Sequence, residues 1–574
     1  MKKILTILFI LLSGSIICNA DYVEKDKALE IAQRWFSTGE ISIELSTSGT
    51  QYYVNCSNGG WMIISAEDSV TPILAYNDEG SLHESSIPSN TKAFIADYEK
   101  GIQDVKIRRL KANSETKKLW KTAGYRTKAT GGKLLSTARW GQDYPYNTLC
   151  PQVREKGNDE TALTGCVATC AAIVCRYYQW PEKGKGTIGG YTYTTDYRVK
   201  KTINSYSIDD HSYAYDLMPL NTNSYTDKKQ IQAVSQLMAD LGVMAKAEYN
   251  YGTGTGALQE DMQAAMFKHM GYSGYAYELY RNSCSSDAEF LKKIKAELDA
   301  GRVVPYGGID NQNGGHQFLC DGYDANDYLH INWGWEGDAN GYFAIDMKND
   351  GYTFNSQQSV TIGLIPDKEQ STTDGGGPLS LLSEYNGKGL TLSSTTFSGN
   401  FTVNVSSVWN ANNNYAYSGK LRVVLSDYKG EVKEVLSDEV TKKLGSSELD
   451  AYSFTCNISS EVELGDRIMV QYQSKRGEWE YLYKEDSTNA ILDAYSIVDT
   501  PYLRIEDSYT LGESLYMDIV PGNVAITSYT WSFDGAKQSH PSIVLTTAGQ
   551  HIVKAQVKLK DKTTLNIQKI VTVK

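Results

Sequence analysis

The chain has 574 residues, too many for one hydrophobic core, so several domains are expected. It is 41% hydrophobic and 11% aromatic with no long run of one charge, which is the composition of a folded protein. The net charge of -12 argues against a nucleic-acid partner, because phosphate binding needs a local excess of Lys and Arg.

Met1, Lys2 and Lys3 are a basic start, Ile4 to Ile17 is almost wholly apolar, and Cys18-Asn19-Ala20 ends in small residues. That reads as a signal peptide over residues 1–20, cut near Ala20. A lipoprotein site at Cys18 is the rival reading, although Ile17 is bulky for one. No other segment approaches the ~20 apolar residues of a membrane span, so the mature protein is expected to be secreted, periplasmic or at the cell surface.

Residues 21–128 read as a small α+β domain. Ala28, Ile31, Ala32 and Trp35 recur at helical spacing, and Gln51–Asn55, Gly60–Ser65 and Val70–Tyr76 read as strands. The Lys-rich stretch from Tyr98 to Lys128, ending at Ala129-Thr130-Gly131-Gly132, reads as an exposed connector open to nicking. Residues 129–366 carry the chemistry. A linker spans 367–380 around Gly375-Gly376-Gly377, and two strand-rich modules follow over 381–497 and 498–574.

After Cys18, eight cysteines remain, sparse for so long a chain, and Cys166, Cys170 and Cys175 lack the paired spacing of a zinc site. No metal or organic cofactor is implied. Thr164 to Tyr178 reads as a helix stopped at Pro181, with Cys166 in its first turn. A thiol there lies near unpaired backbone N–H groups and the positive helix end, which favour thiolate and can hold an oxyanion. The plainer alternative is that all three cysteines are core thiols.

A base is needed, and His316 has the most suggestive setting. Gly314-Gly315 leads into a short strand that presents it near the start. His211 and His330 read as structural. Asn332 offers an oxygen to the imidazole, and Trp333 and Trp335 either shield the pair from water or fill a core. A Gln142 amide serves as a second oxyanion donor only if its loop folds back beside the helix.

Together, Thr164-Gly165-Cys166-Val167-Ala168-Thr169, Gly314-Gly315-His316-Gln317-Phe318-Leu319-Cys320-Asp321-Gly322-Tyr323 and His330-Ile331-Asn332-Trp333-Gly334-Trp335 resemble the streptopain-like cysteine peptidases, family C10. Tyr215-Asp216-Leu217-Met218-Pro219 adds to the likeness. The resemblance implies an α+β fold: a papain-like catalytic domain, a small α+β inhibitory pro-domain before it, and two β-sandwich (Ig-like) modules appended. It implies Cys166 as nucleophile, His316 as base and acid, Gln142 as oxyanion donor, and Asn332, Trp333 and Trp335 as support for the histidine. Its partners are protein or peptide substrates and its own pro-domain, with a cell-envelope or host ligand for the C-terminal modules. The loop Tyr251–Ala257 carries Thr where the family often has Ser. An acyl-transfer enzyme with the same dyad and a binding protein with a vestigial dyad are the rival classes.

Overall fold

The computed structural model describes residues 22–574 except short stretches, of which 126–131, 251–253, 311–313, 348–357 and 368–378 bear on the account below. The signal segment, residues 368–378 of the linker and the Ala129–Gly131 end of the expected connector lie outside the described residues. Two compact units emerge, one running to Met270 and resuming over Lys295–Gln358, the other comprising Gly271–Ile294 and Ser359–Lys574.

In the first unit, helix α1 (Lys25–Trp35) precedes an antiparallel meander of β1 (Ile41–Leu45), β2 (Gln51–Cys56), β3 (Trp61–Ser65) and β4 (Ile73–Asn77). Every residue of β2 and β3 is buried, so both faces of this sheet are covered. On one face Tyr52, Val54, Met62 and Ile64 meet Ala28, Ile31 and Ala32 of α1. Helices α2 (Ser89–Arg108) and α3 (Ser114–Thr122) occupy most of the stretch expected to be a connector. Phe94, Tyr98, Ile102 and Val105 recur every three or four residues and are buried, a helical stripe masked by the surrounding lysines. Trp120 of α3 donates from Nε1 to Val70 O at 2.8 Å, which ties that helix to the sheet. Its Lys117, Lys118 and Lys121 remain exposed.

The sheet does not end at β4. Tyr76 and Ala75 pair with Tyr342 and Phe343 of the strand Gly341–Phe343, and the order continues through Leu329–Asn332, Gly314–Tyr323 and Val304–Asp310. A Cβ at residue 341 would lie 2.7 Å from Tyr76 O, so glycine there permits the close approach. The short β5 (Lys133–Leu134) joins at Gly322–Tyr323. Helix α4 (Cys166–Tyr178) packs on the strand Gly314–Tyr323 and on α5 (Lys228–Met244). Its residues Val167–Cys175 are all buried, as suits a central helix covered all round. Helix α5 and helix α6 (Gln259–Met270) were not expected from the sequence.

The second unit holds several small β-sheets toward the C-terminus. Five- and six-stranded sheets share one core built on Leu381, Val403, Phe454, Val423, Leu425 and Ile468. Beyond residue 500, a five-stranded sheet and two-stranded partners enclose Leu515, Trp531, Val553, Val557 and Val571. Segments well before the linker belong with these sheets: Tyr277 Oη donates to Glu480 Oε2 at 3.1 Å, and Asn412 Nδ2 donates to Gly274 O at 2.7 Å. Among the described residues, no helix is long and apolar enough to cross a membrane.

Candidate active site

Cys166 is the first residue of α4, and the chain reaches it through a strained residue. Gly165 has φ +85°, and a Cβ there would lie 2.7 Å from Thr255 O. The approach is clamped from two sides. Thr164 N donates to Gln142 O at 2.9 Å, and Thr255 Oγ1 donates to Leu163 O at 2.7 Å. The Gln142 loop therefore folds back beside the helix start, with Gln142 itself buried. The Thr164 and Thr169 hydroxyls pair at 2.7 Å across the first turn.

Two helix sulfur atoms meet the backbone of the strand. Cys166 Sγ accepts from Gln317 N at 3.5 Å, and Cys170 Sγ donates to Phe318 O at 3.3 Å. These contacts set the nucleophile candidate beside the residue that follows His316. The Gly314-Gly315 pair is already in the ladder with Asp310 and Ile309, so His316 is the third strand residue and is half-buried. All eight described cysteines are free, and Cys166 is the one among them that is not fully buried. Burial still pushes its thiol above the ordinary value, against the pull of the N–H groups of Gln317, Val167 and Cys166 itself. The depressed thiol pKa expected at a helix start is thus absent here, because desolvation outweighs the N–H groups.

The segment after His330 supports the strand end. Asn332 Nδ2 donates to Thr137 Oγ1 at 3.1 Å and Ala138 O at 2.9 Å, while its Oδ1 accepts from Gly334 N at 3.2 Å. Asn332 thereby shapes the turn carrying Trp333 and Trp335. The ladder pairs it with Leu319, which brings that turn toward the His316 end. Trp333 is a core residue whose ring lies 4.5 Å from Phe318 and 5.1 Å from Phe343, whereas Trp335 is half-buried. His330 pairs with the buried Asp321, and His211 Nδ1 sits 2.7 Å from the buried Asp240, as fits structural histidines.

The N-terminal domain packs directly behind this site. Phe94 of α2 sets its ring edge-on to Phe318, Trp333 and Phe343 at 5.6–6.0 Å between centroids. Tyr98 Oη lies 2.5 Å from Ala344 O and 3.1 Å from Leu74 O, with one proton between the two acceptors, and Asn77 Nδ2 donates to Asn340 O at 2.6 Å. Asn340 Oδ1 in turn receives Trp333 N at 3.0 Å. Sequence reasoning missed Phe94 and the clamping role of Thr255. The i, i+4 series of α2 was the available signal for Phe94; nothing local marked the bond from Thr255 to Leu163.

Residues 140–343 match the pattern of the peptidase C10 family, and residues 20–102 match that of the Spi protease inhibitors. The chain belongs to the peptidase C10 family, with an inhibitor-type pro-domain ahead of the peptidase domain. Streptopain of Streptococcus pyogenes is 26% identical over 370 residues, 60% of this chain and 89% of that protein. The thiol protease/hemagglutinin PrtT of Porphyromonas gingivalis is 26% identical over 401 residues, 65% of this chain but only 45% of PrtT. The solved structure of active interpain A from Prevotella intermedia is 30% identical, with 41% of this chain and 94% of that one covered and a TM-score of 0.36. The C10 match includes Gln142, Cys166, His316, Asn332, Trp333 and Trp335, and the inhibitor match ends inside α2, after Phe94 and Tyr98.

Proposed function

We propose that the protein is an exported cysteine endopeptidase made as a zymogen, with Cys166 as nucleophile and His316 as general base and acid. The observation that carries this reading is the contact of Cys166 Sγ with the backbone of the histidine strand at the start of a buried helix. Cys166 attacks the scissile carbonyl, and its own N–H and the Gln142 side chain hold the oxyanion. His316 protonates the leaving amine and then activates water to release the acyl-enzyme. Asn332 and Trp335 act by holding the strand end, and Trp333 by filling the core beneath it.

Residues 21–128 serve as the inhibitory pro-domain, 129–366 as the catalytic domain, and 381–497 and 498–574 as β-sandwich modules of Ig-like type for a cell-envelope or host ligand. The signal peptide is removed near Ala20, and maturation falls near Lys128, in the sequence that follows α3. The substrates are proteins or peptides. Burial holds the Cys166 thiol above its ordinary value in the precursor, which favours the neutral form.

The deciding experiment is mass spectrometry of wild type and Cys166→Ala, each incubated with a denatured protein. Cleavage by wild type alone, with precursor fragments ending near Lys128, is the expected result. Equal inertness of both, even after limited proteolysis near that point, would overturn the reading.

A further inference from the structure

The last five-stranded sheet turns one face to its core and the other to solvent. Along the strand Gly549–Leu559, His551, Val553, Ala555, Val557 and Leu559 are buried while Ile552, Lys554, Gln556 and Lys558 are exposed. The strands Ile526–Phe533 and Thr564–Val573 flank it, with Ala536–Gln538 beyond the first. On the outward side lies a concavity of about 500 Å³, within the roughly 300–1,000 Å³ range of ligand clefts.

The register orders what lines it. One row crosses the sheet as Lys537, Ser532, Lys554 and Gln568, and the next as Thr530, Gln556 and Asn566. No carboxylate lines the concavity, and Lys558 extends the same face. A chain of net charge -12 thus places ammonium groups around amides and hydroxyls at this one hollow. Gln556 Nε2 donates to Asn566 Oδ1 at 3.3 Å, which orients the pair and leaves Gln556 Oε1 and Asn566 Nδ2 for a ligand.

We propose that this sheet face binds an acidic polysaccharide, its ammonium groups meeting carboxylates or sulfates and its amides meeting sugar hydroxyls. Lysine suits that task as a strongly hydrated point charge on a flexible stem. Single-stranded nucleic acid fits less well, because base binding relies on exposed aromatic platforms. Here the Trp531 ring is buried beneath the hollow with Nε1 donating to His540 O at 2.9 Å. The assignment deepens the envelope-or-host-ligand reading of the C-terminal modules. Its test uses inactive protein, so it stands or falls apart from the peptidase chemistry.

Full-length Cys166→Ala protein is applied to immobilised polygalacturonate and heparin, with neutral dextran and single-stranded DNA alongside. Retention on at least one acidic polysaccharide, and none on dextran, is expected. Lys537→Glu with Lys554→Glu should weaken it by about tenfold or more, as removal of paired phosphate-type contacts does. Gln556→Ala with Asn566→Ala, which leaves charge unchanged, should weaken it by about threefold or more. All four residues are exposed, and an unchanged thermal midpoint certifies the fold of each variant. Retention insensitive to either pair, absence of retention, or equal retention on DNA would overturn the proposal.

Discussion

Strands β2 and β3 near the N-terminus are buried at every residue, whereas Gly549–Leu559 alternates strictly between core and solvent. All three strands pair antiparallel with their neighbours, so the difference lies in what covers them. The N-terminal sheet is covered by helices on both faces and continued by the strand Gly341–Phe343 at its β4 edge. The C-terminal sheet keeps one face uncovered. A sheet committed to an internal partner is apolar throughout, while one that meets something outside keeps polar side chains in register.

That contrast is open to attack by substitution. The largest effect is expected at the site itself: Cys166→Ala should lower kcat/KM on a peptide by roughly 10⁴- to 10⁶-fold. Circular dichroism and acidic-polysaccharide binding should be unchanged, and loss of both would mean that the cysteine is structural. Phe94→Ala removes the ring seated among Phe318, Trp333 and Phe343 and should destabilise the precursor by about 3–5 kcal/mol. Denaturant unfolding and the rate of precursor processing would read it, and an unchanged midpoint would break the picture of a tightly seated N-terminal sheet.

Gly165→Ala is expected to cost about 1–3 kcal/mol, since φ +85° disfavours a side chain and Thr255 O leaves no room for one. Peptidase activity should fall with it as the helix start shifts; a fully active variant would show that the Thr255 clamp does not position Cys166.

In the precursor, burial holds the Cys166 thiol above its ordinary value of 9.0, so the folded form binds that proton more tightly than the unfolded chain. The resulting stability is fully present below about pH 9 and is lost as pH rises through the folded value. Iodoacetamide labelling of Cys166 in the precursor should therefore have its midpoint above pH 9, moving down in Phe94→Ala. A midpoint below about 8.5 in the intact precursor would contradict the desolvated state. Smallest of all, Lys537→Glu with Lys554→Glu should leave turnover of a short peptide within about twofold of wild type, as exposed surface changes usually do. A larger loss would show that the outward C-terminal face matters to the chemistry.

Much of the site was legible because its residues sit in short, chemically distinctive runs. Gly165-Cys166 before a small-residue helix and Gly315-His316 before an apolar strand offer a thiol and a histidine from local pattern, while their roles as nucleophile and base come from the family resemblance. Helix α4 and the strand Gly314–Tyr323 lie where that pattern puts them. The stretch Tyr98–Lys128 was misread because its lysines hide the apolar stripe that Phe94 begins and Tyr98, Ile102 and Val105 continue, and charge density is a weaker guide to structure than periodicity. Helices α5 and α6 went unread for want of a chemical motif to draw attention to them.

The chemistry on offer is written in the chain order: one cysteine at a helix start, one histidine after paired glycines, and strand-rich modules behind a glycine linker. Folding adds that Gln142 folds back to the Cys166 approach, that Asn332 is spent on Thr137, Ala138 and Gly334, and that β4 continues into the strand Gly341–Phe343. All but the Asn332–Gly334 bond join residues well separated in the chain, through backbone groups or the Asn332 side-chain amide. Such contacts carry no local signature, because a backbone N–H or C=O is the same at every residue and its partner is chosen by packing.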